Sequence, residues 1–106
     1  MNEMQTLFNL LEQRKVKKID GSYTNYLFDE GIDKIGKKIG EEAMELVIAA
    51  KNNDTDEIVN EAVDLMYHMF VLLVEQGSSY EQIITELVMR QQKMQNLKSF
   101  NEKGEL

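Results

Sequence analysis

The chain has 106 residues, no cysteine, no proline, and a net charge of −7 from 19 acids and 12 bases. That length suits one compact domain rather than two. The missing cysteine excludes disulfides and thiolate metal sites, and the acidity has the wrong sign for a nucleic-acid backbone. No apolar run nears the roughly 18 residues of a membrane span. The N-terminus, MNEMQTLFNLLEQRK, carries acids early and no small-residue cleavage pattern, so a cytoplasmic protein that engages no membrane is expected.

Good helix formers dominate the periodic stretches, and the expected fold is all-α, an antiparallel bundle of four to five helices. The first helix is expected from Glu3 to Arg14, with Leu7, Leu10 and Leu11 as its apolar stripe and Phe8 beside it. Lys15 to Ser22 is polar, contains Gly21 and reads as a loop, with Lys15, Lys17 and Lys18 as a solvated charge run. Ser22 opens a short helical segment, Tyr23 to Phe28, that stops before Gly31.

A long helix follows from Ile32 to Lys51. Ile32, Ile35, Ile39, Ala43, Leu46 and Ala50 recur at three and four, as one buried face requires. Gly36 and Gly40 inside it each cost ~1 kcal/mol relative to Ala, which suggests close approach by a neighbouring helix or a ligand. Asn52-Asn53 breaks the pattern. Asp54 then caps a helix from Thr55 to Glu75, with Glu57 at the capping-box position.

From Ala62 to Val74 that helix reads AVDLMYHMFVLLV, apolar on nearly every side. A helix apolar all round is buried all round, and one small domain can hardly cover it. A homodimer would supply the missing cover. Ser79, with Gln82 three residues on, caps a last helix carrying Ile83, Ile84, Leu87 and Val88. The domain is expected over residues 1–92, with 93–106 as a frayed polar tail.

The chemistry lies in Glu41-Glu42-x-x-Glu45 and Glu61-x-x-Asp64. Carboxylates three or four apart share a helix face. The short turn at Asn53 makes the two long helices antiparallel, so residues equidistant from it lie level: Glu45 with Glu61, Glu42 with Asp64, Lys38 with His68. Carboxylates facing one another repel, and they raise each other's pKa values or bind cations. Hard oxygen ligands in this number select Mg²⁺ or Mn²⁺, with Ca²⁺ as a third candidate, and such a site suits water attack on phosphorus.

Plainer readings stand beside this one. Glu41 and Glu42 alone would be surface acids, Glu57 a cap partner, His68 a satisfied core residue, and Lys34, Lys37 and Lys38 a solvated face. Asp64 interrupts a buried apolar run, where an unpartnered carboxylate is costly. A di-iron bundle is excluded, since it needs Glu-x-x-His on two helices and this chain has one His, four residues from Asp64.

The E-E-x-x-E … E-x-x-D pattern resembles the all-α nucleotide pyrophosphohydrolases, which include MazG-like and dimeric dUTPase-like enzymes. The segments Ser22-Tyr23-Thr24, Gly31-Ile32-Asp33-Lys34-Ile35, Lys38-Ile39-Gly40-Glu41-Glu42 and Asp64-Leu65-x-Tyr67-His68 are similar to the phosphoribosyl-ATP pyrophosphohydrolase family of histidine biosynthesis. The resemblance covers about residues 20 to 92. It implies Mg²⁺-dependent hydrolysis of phosphoribosyl-ATP to phosphoribosyl-AMP and pyrophosphate by a cytoplasmic homodimer.

Carried over by residue, the resemblance implies Glu42, Glu45, Glu61 and Asp64 as metal ligands and Glu41 as the group that orients or deprotonates the attacking water. It also implies Lys34, Lys38 and His68 at the phosphates, and Tyr23, Thr24 and Tyr67 along the substrate pocket. Two other functions compete: a house-cleaning NTP or dUTP pyrophosphatase of the same fold, and a non-catalytic helical dimerisation module.

Overall fold

The computed structural model describes residues 1–96. It consists of α1 (Glu3–Val16), α2 (Tyr23–Glu30), α3 (Ile32–Lys51), α4 (Thr55–Glu75) and α5 (Tyr80–Asn96), with no strand among the described residues. The expected all-α fold and the positions of all five helices agree with it. Helix α5 runs on to Asn96, beyond the fade expected after Gln92, and the rest of the expected tail, 97–106, lies outside the described residues.

Local chemistry sets the helix ends. Asn2, Ser22 and Asp54 each accept a hydrogen bond from the backbone N–H three residues on, that of Gln5 (2.8 Å), Asn25 (3.2 Å) and Glu57 (3.2 Å), which satisfies a donor left free in the first turn. Ser79 and Gln82 make both halves of a capping box, at 3.1 and 2.8 Å. Helix α3 stops because Asn53 turns left-handed, at φ 54°. The Asp54 N–H then reaches the Ala49 carbonyl and the Asn53 N–H the Ala50 carbonyl, each at 3.1 Å. Those two bonds are the Schellman arrangement. Gly77, at φ 83°, ends α4 in the same way, through Ser78 to Leu73 and Gly77 to Val74.

Helices α3 and α4 form the principal pair, and α1 and α2 lie against its far end. The core joins Phe8 and Leu11 of α1, Leu27 of α2, Ile35 of α3, and Phe70, Val71 and Val74 of α4. Phe8 meets Phe70 edge-on at 5.5 Å. Burying each of these side chains stabilises the fold by about 1.5–3 kcal/mol. The α1 face differs from expectation: Leu10 is exposed, and Phe8 with Leu11 carries the contact.

On α3 the inward stripe is Ile35, Ile39, Glu42, Leu46 and Ala49, whereas Ile32 and Ala50 face out. The inward face thus admits one carboxylate. Gly36 and Gly40 meet no close neighbour, since a Cβ at either would have open space within 4 Å. The close approach expected there does not occur within the chain, because both residues lie on its exposed side.

Asn25 joins the N-terminal helices. Its amide is buried, accepts from the Ile19 N–H at 3.0 Å and donates to the Arg14 carbonyl at 2.7 Å. Lys15 adds a second tie, donating to the Glu75 carbonyl at 3.1 Å and pairing with the Glu75 carboxylate at 3.2 Å. Asn25→Ala strands both backbone groups and is expected to lower unfolding free energy by about 1–3 kcal/mol. The measurement is a shift in urea midpoint at unchanged m value.

Candidate active site

Antiparallel pairing of α3 and α4 away from the Asn53 turn brings three carboxylates together. One oxygen from each of Glu42, Glu45 and Glu61 lies within 4.8 Å of the others. Glu42 and Glu61 are buried, while Glu45 is exposed and faces the cluster from its solvent side. The expected level pair Glu45–Glu61 is therefore observed. Glu42 also meets Glu61 from the inward stripe of α3.

Asp64 is half-buried and lies outside this cluster. The apolar run that suggested a buried Asp64 is covered on one side only, with Val63 and Met69 turned out of the single chain. Glu41 is exposed and pairs with Lys38 at 3.5 Å, and Lys38 reaches Glu42 at 3.8 Å.

Glu57, expected chiefly as a cap partner, also neighbours the cluster. Its backbone makes the expected half of the cap, but its carboxylate accepts from Asn60 at 3.3 Å and also meets Glu61. Glu45, Glu57 and Glu61 line a cavity of about 270 Å³ with Ile48, Ala49, Asn52 and Asp54. The i, i+4 spacing of Glu57 and Glu61 was the available signal.

Crowding dominates the electrostatics. Glu61 is pushed up to about 8, first by its hydrogen bond with Glu42, then by burial, then by Glu45 and Glu57. Its Oε2 is buried without a hydrogen-bond partner, and an unpaired buried acceptor carries a desolvation cost. A hard divalent cation fits this donor set. It would be held by Glu42, Glu45 and Glu61 and would take up the orphaned oxygen. Lys38 is lowered by burial, but the Tyr23 phenol, Glu41 and Glu42 together outweigh that and hold its ammonium above the ordinary range.

Beside the acids, Tyr23, Thr24, Tyr67 and His68 come together. Thr24 and Tyr67 share a hydroxyl–hydroxyl bond. His68 is buried, with Nδ1 at 2.8 Å from the Asp64 carbonyl and Nε2 at 3.0 Å from the Tyr23 hydroxyl. A carbonyl only accepts, so Nδ1 carries the proton and the phenol donates to Nε2. Both ring nitrogens are thus engaged within the protein. Lys34 stands over the Tyr26 ring at 5.7 Å.

The raised Glu61 gives a signed prediction. A carboxyl whose folded pKa is raised stays protonated where the unfolded chain has ionised. Its contribution is intact below about 4.5 and is lost as pH rises towards about 8. Metal-free protein should therefore lose stability over that window relative to Glu61→Gln, whose amide does not titrate. Thermal melts across the pH series check this, and added Mg²⁺ should offset the loss in the parent chain alone.

A family model described as phosphoribosyl-ATP pyrophosphohydrolase matches residues 4–91. A phosphoribosyl-ATP pyrophosphatase of Lactiplantibacillus plantarum is 51% identical over 98 residues, covering 92% of this chain and 92% of that protein. One from Bacillus cereus is 52% identical over 93 residues, covering 88% and 87%. A histidine biosynthesis bifunctional protein of Caldanaerobacter subterraneus is 52% identical over 90 residues, 85% of this chain but 44% of that larger protein. With the family match running from the first turn of α1 through most of α5, over the whole acidic cluster, the chain belongs to the phosphoribosyl-ATP pyrophosphohydrolase family.

Proposed function

We propose that the chain hydrolyses phosphoribosyl-ATP to phosphoribosyl-AMP and pyrophosphate, with Mg²⁺ as cofactor and Mn²⁺ as substitute. The observation that carries the reading is the buried, unpartnered Glu61 oxygen between Glu42 and Glu45, within a chain of this family. Glu42, Glu45 and Glu61 hold the cation, and Asp64, one turn beyond Glu61 on α4, completes the set. When bound, the ion neutralises the phosphates and the leaving pyrophosphate.

The protein groups do the rest. Lys34 and Lys38 set positive charge along α3 towards the acids and draw the triphosphate into line. Glu41 stands at the solvent edge beside Lys38 and takes the proton of the attacking water. The water oxygen bonds to the α-phosphorus as the α–β anhydride bond breaks, and the electron pair leaves on pyrophosphate. Tyr23, Thr24 and Tyr67 line the pocket.

Release of pyrophosphate from phosphoribosyl-ATP with Mg²⁺, above the metal-only blank, tests the reaction. Glu45→Gln and Asp64→Asn should each abolish turnover while the assembly persists, and near-normal kcat in either would refute that ligand. Faster turnover of dUTP or free NTPs would favour the house-cleaning alternative. Absence of Mg²⁺ binding by calorimetry would favour a non-catalytic module.

The working form is a homodimer in the cytoplasm. Met44, Val47 and Ile48 of α3 and Val59 and Val63 of α4 are all more than half exposed, and α5 buries no residue. The radius of gyration is 16.1 Å, against roughly 13 Å for a compact domain of this size. Such apolar exposure supports a second copy packing on these faces. Val47→Glu with Val63→Glu should give monomers by light scattering, whereas the parent chain should give dimers.

A further inference from the structure

Three of the four tyrosines form one stack beside the carboxylates. Tyr26 lies on Tyr23, with centroids 6.0 Å apart and planes at 28°, and Tyr23 lies on Tyr67 at 6.3 Å and 23°. The fourth, Tyr80, packs against Phe8. Tyr23 and Tyr26 are nearly half exposed. Exposed aromatic rings rarely line up without packing to hold them, and here the holding group is buried. His68 meets both Tyr23 and Tyr67 edge-on, at 5.9 and 5.0 Å. Its Nδ1–H is spent on the Asp64 carbonyl, so its Nε2 fixes the Tyr23 hydroxyl. Thr24 fixes the Tyr67 hydroxyl in turn.

The stack already takes a cation. The Lys34 ammonium sits over Tyr26, and its bond to the Tyr26 phenol, ahead of other influences, holds it above the ordinary lysine range. Lys34 and Lys38 lie between the stack and the acids on successive turns of α3. A ligand laid along this surface would place a flat ring on the tyrosines, phosphates at the lysines and a metal-bound end at the carboxylates.

We propose that the Tyr26–Tyr23–Tyr67 stack, positioned by His68, is the subsite for the N1-substituted adenine ring and distinguishes it from ordinary adenine. The inference rests on phosphoribosyl-ATP being the substrate. Substitution at N1 leaves the adenine amidine protonated near neutral pH, so this base is a flat, delocalised cation, whereas the base of ATP is neutral. A cationic ring gains cation–π attraction from the phenol faces as well as stacking. On binding, the base takes the place of the Lys34 ammonium on Tyr26 and frees that lysine for a phosphate. His68 acts through Tyr23 as a positioning residue.

The chain has no tryptophan, so intrinsic tyrosine emission reports chiefly on this stack. The probe is 1-methyl-AMP, compared with AMP on the metal-free full chain, with absorbance corrected against free tyrosine amide. Quenching by 1-methyl-AMP should come at roughly three- to thirtyfold lower concentration than by AMP, and Tyr26→Ala, at an exposed site, should remove that preference. Tyr23→Phe and His68→Gln should raise KM for phosphoribosyl-ATP several-fold with kcat retained, whereas a merely structural role would lower kcat at constant KM. Equal affinity for the two nucleotides, or an unchanged preference in Tyr26→Ala, overturns the subsite even if phosphoribosyl-ATP is turned over. A preference for 1-methyl-AMP that Tyr26→Ala abolishes supports the subsite even if turnover fails, and that result would overturn the assigned reaction instead.

Discussion

The antiparallel contact of α3 with α4 is the constraint on which everything else depends. Its register is set by two local devices, the left-handed Asn53 that closes α3 and the Asp54 cap that opens α4. Together they fix the relative height of the two helices that carry Glu41, Glu42, Glu45, Glu61 and Asp64. A slip of one residue in that connection would rotate Glu61 off the face of Glu42 and Glu45 by about 100°. The same pairing raises Tyr67 and His68 to meet Tyr23 of α2, so the acid cluster and the aromatic stack share one scaffold. The core residues Ile35, Phe70, Val71 and Val74 supply the apolar burial that holds the pair closed against the repulsion of its acids.

That repulsion is a stability cost retained for function. Glu42 occupies a position on the inward stripe of α3 that an Ile or Leu would fill with net gain, and Glu61 answers it from α4. Without a cation the chain resolves the conflict by keeping a proton on Glu61, and one oxygen still goes unpaired. A cation resolves both problems together, because it replaces the shared proton and takes the orphaned lone pairs. The folded state would therefore gain stability from the cation proposed for it.

Much of this was legible because it rests on short-range rules. The caps at Ser22, Asp54 and Ser79 lie within four residues of what they cap, and equal distances from Asn53 predicted the meeting of Glu45 with Glu61. What failed depends on side-chain direction. Asp64 looked buried because its neighbours are apolar, yet it is only half-buried, with Val63 and Met69 exposed nearby. Gly36 and Gly40 suggested close approach, yet they lie on an exposed side of α3. Spacing also left the contacts of His68 open. Its rotamer sends it into the Tyr23–Tyr67 stack, and no periodicity reveals a rotamer.

The single chain leaves a set of large apolar side chains exposed. They are Val63 and Met69 of α4 and Met44, Val47 and Ile48 of α3, and α5 adds Leu87, Val88 and Met89. Such exposed apolar faces would suit packing against a second copy. A second copy on those faces would also lower the dielectric around the cluster and strengthen its interactions with a bound cation. Catalysis and assembly would then be coupled through the same stretch of α4, from Glu61 to Met69.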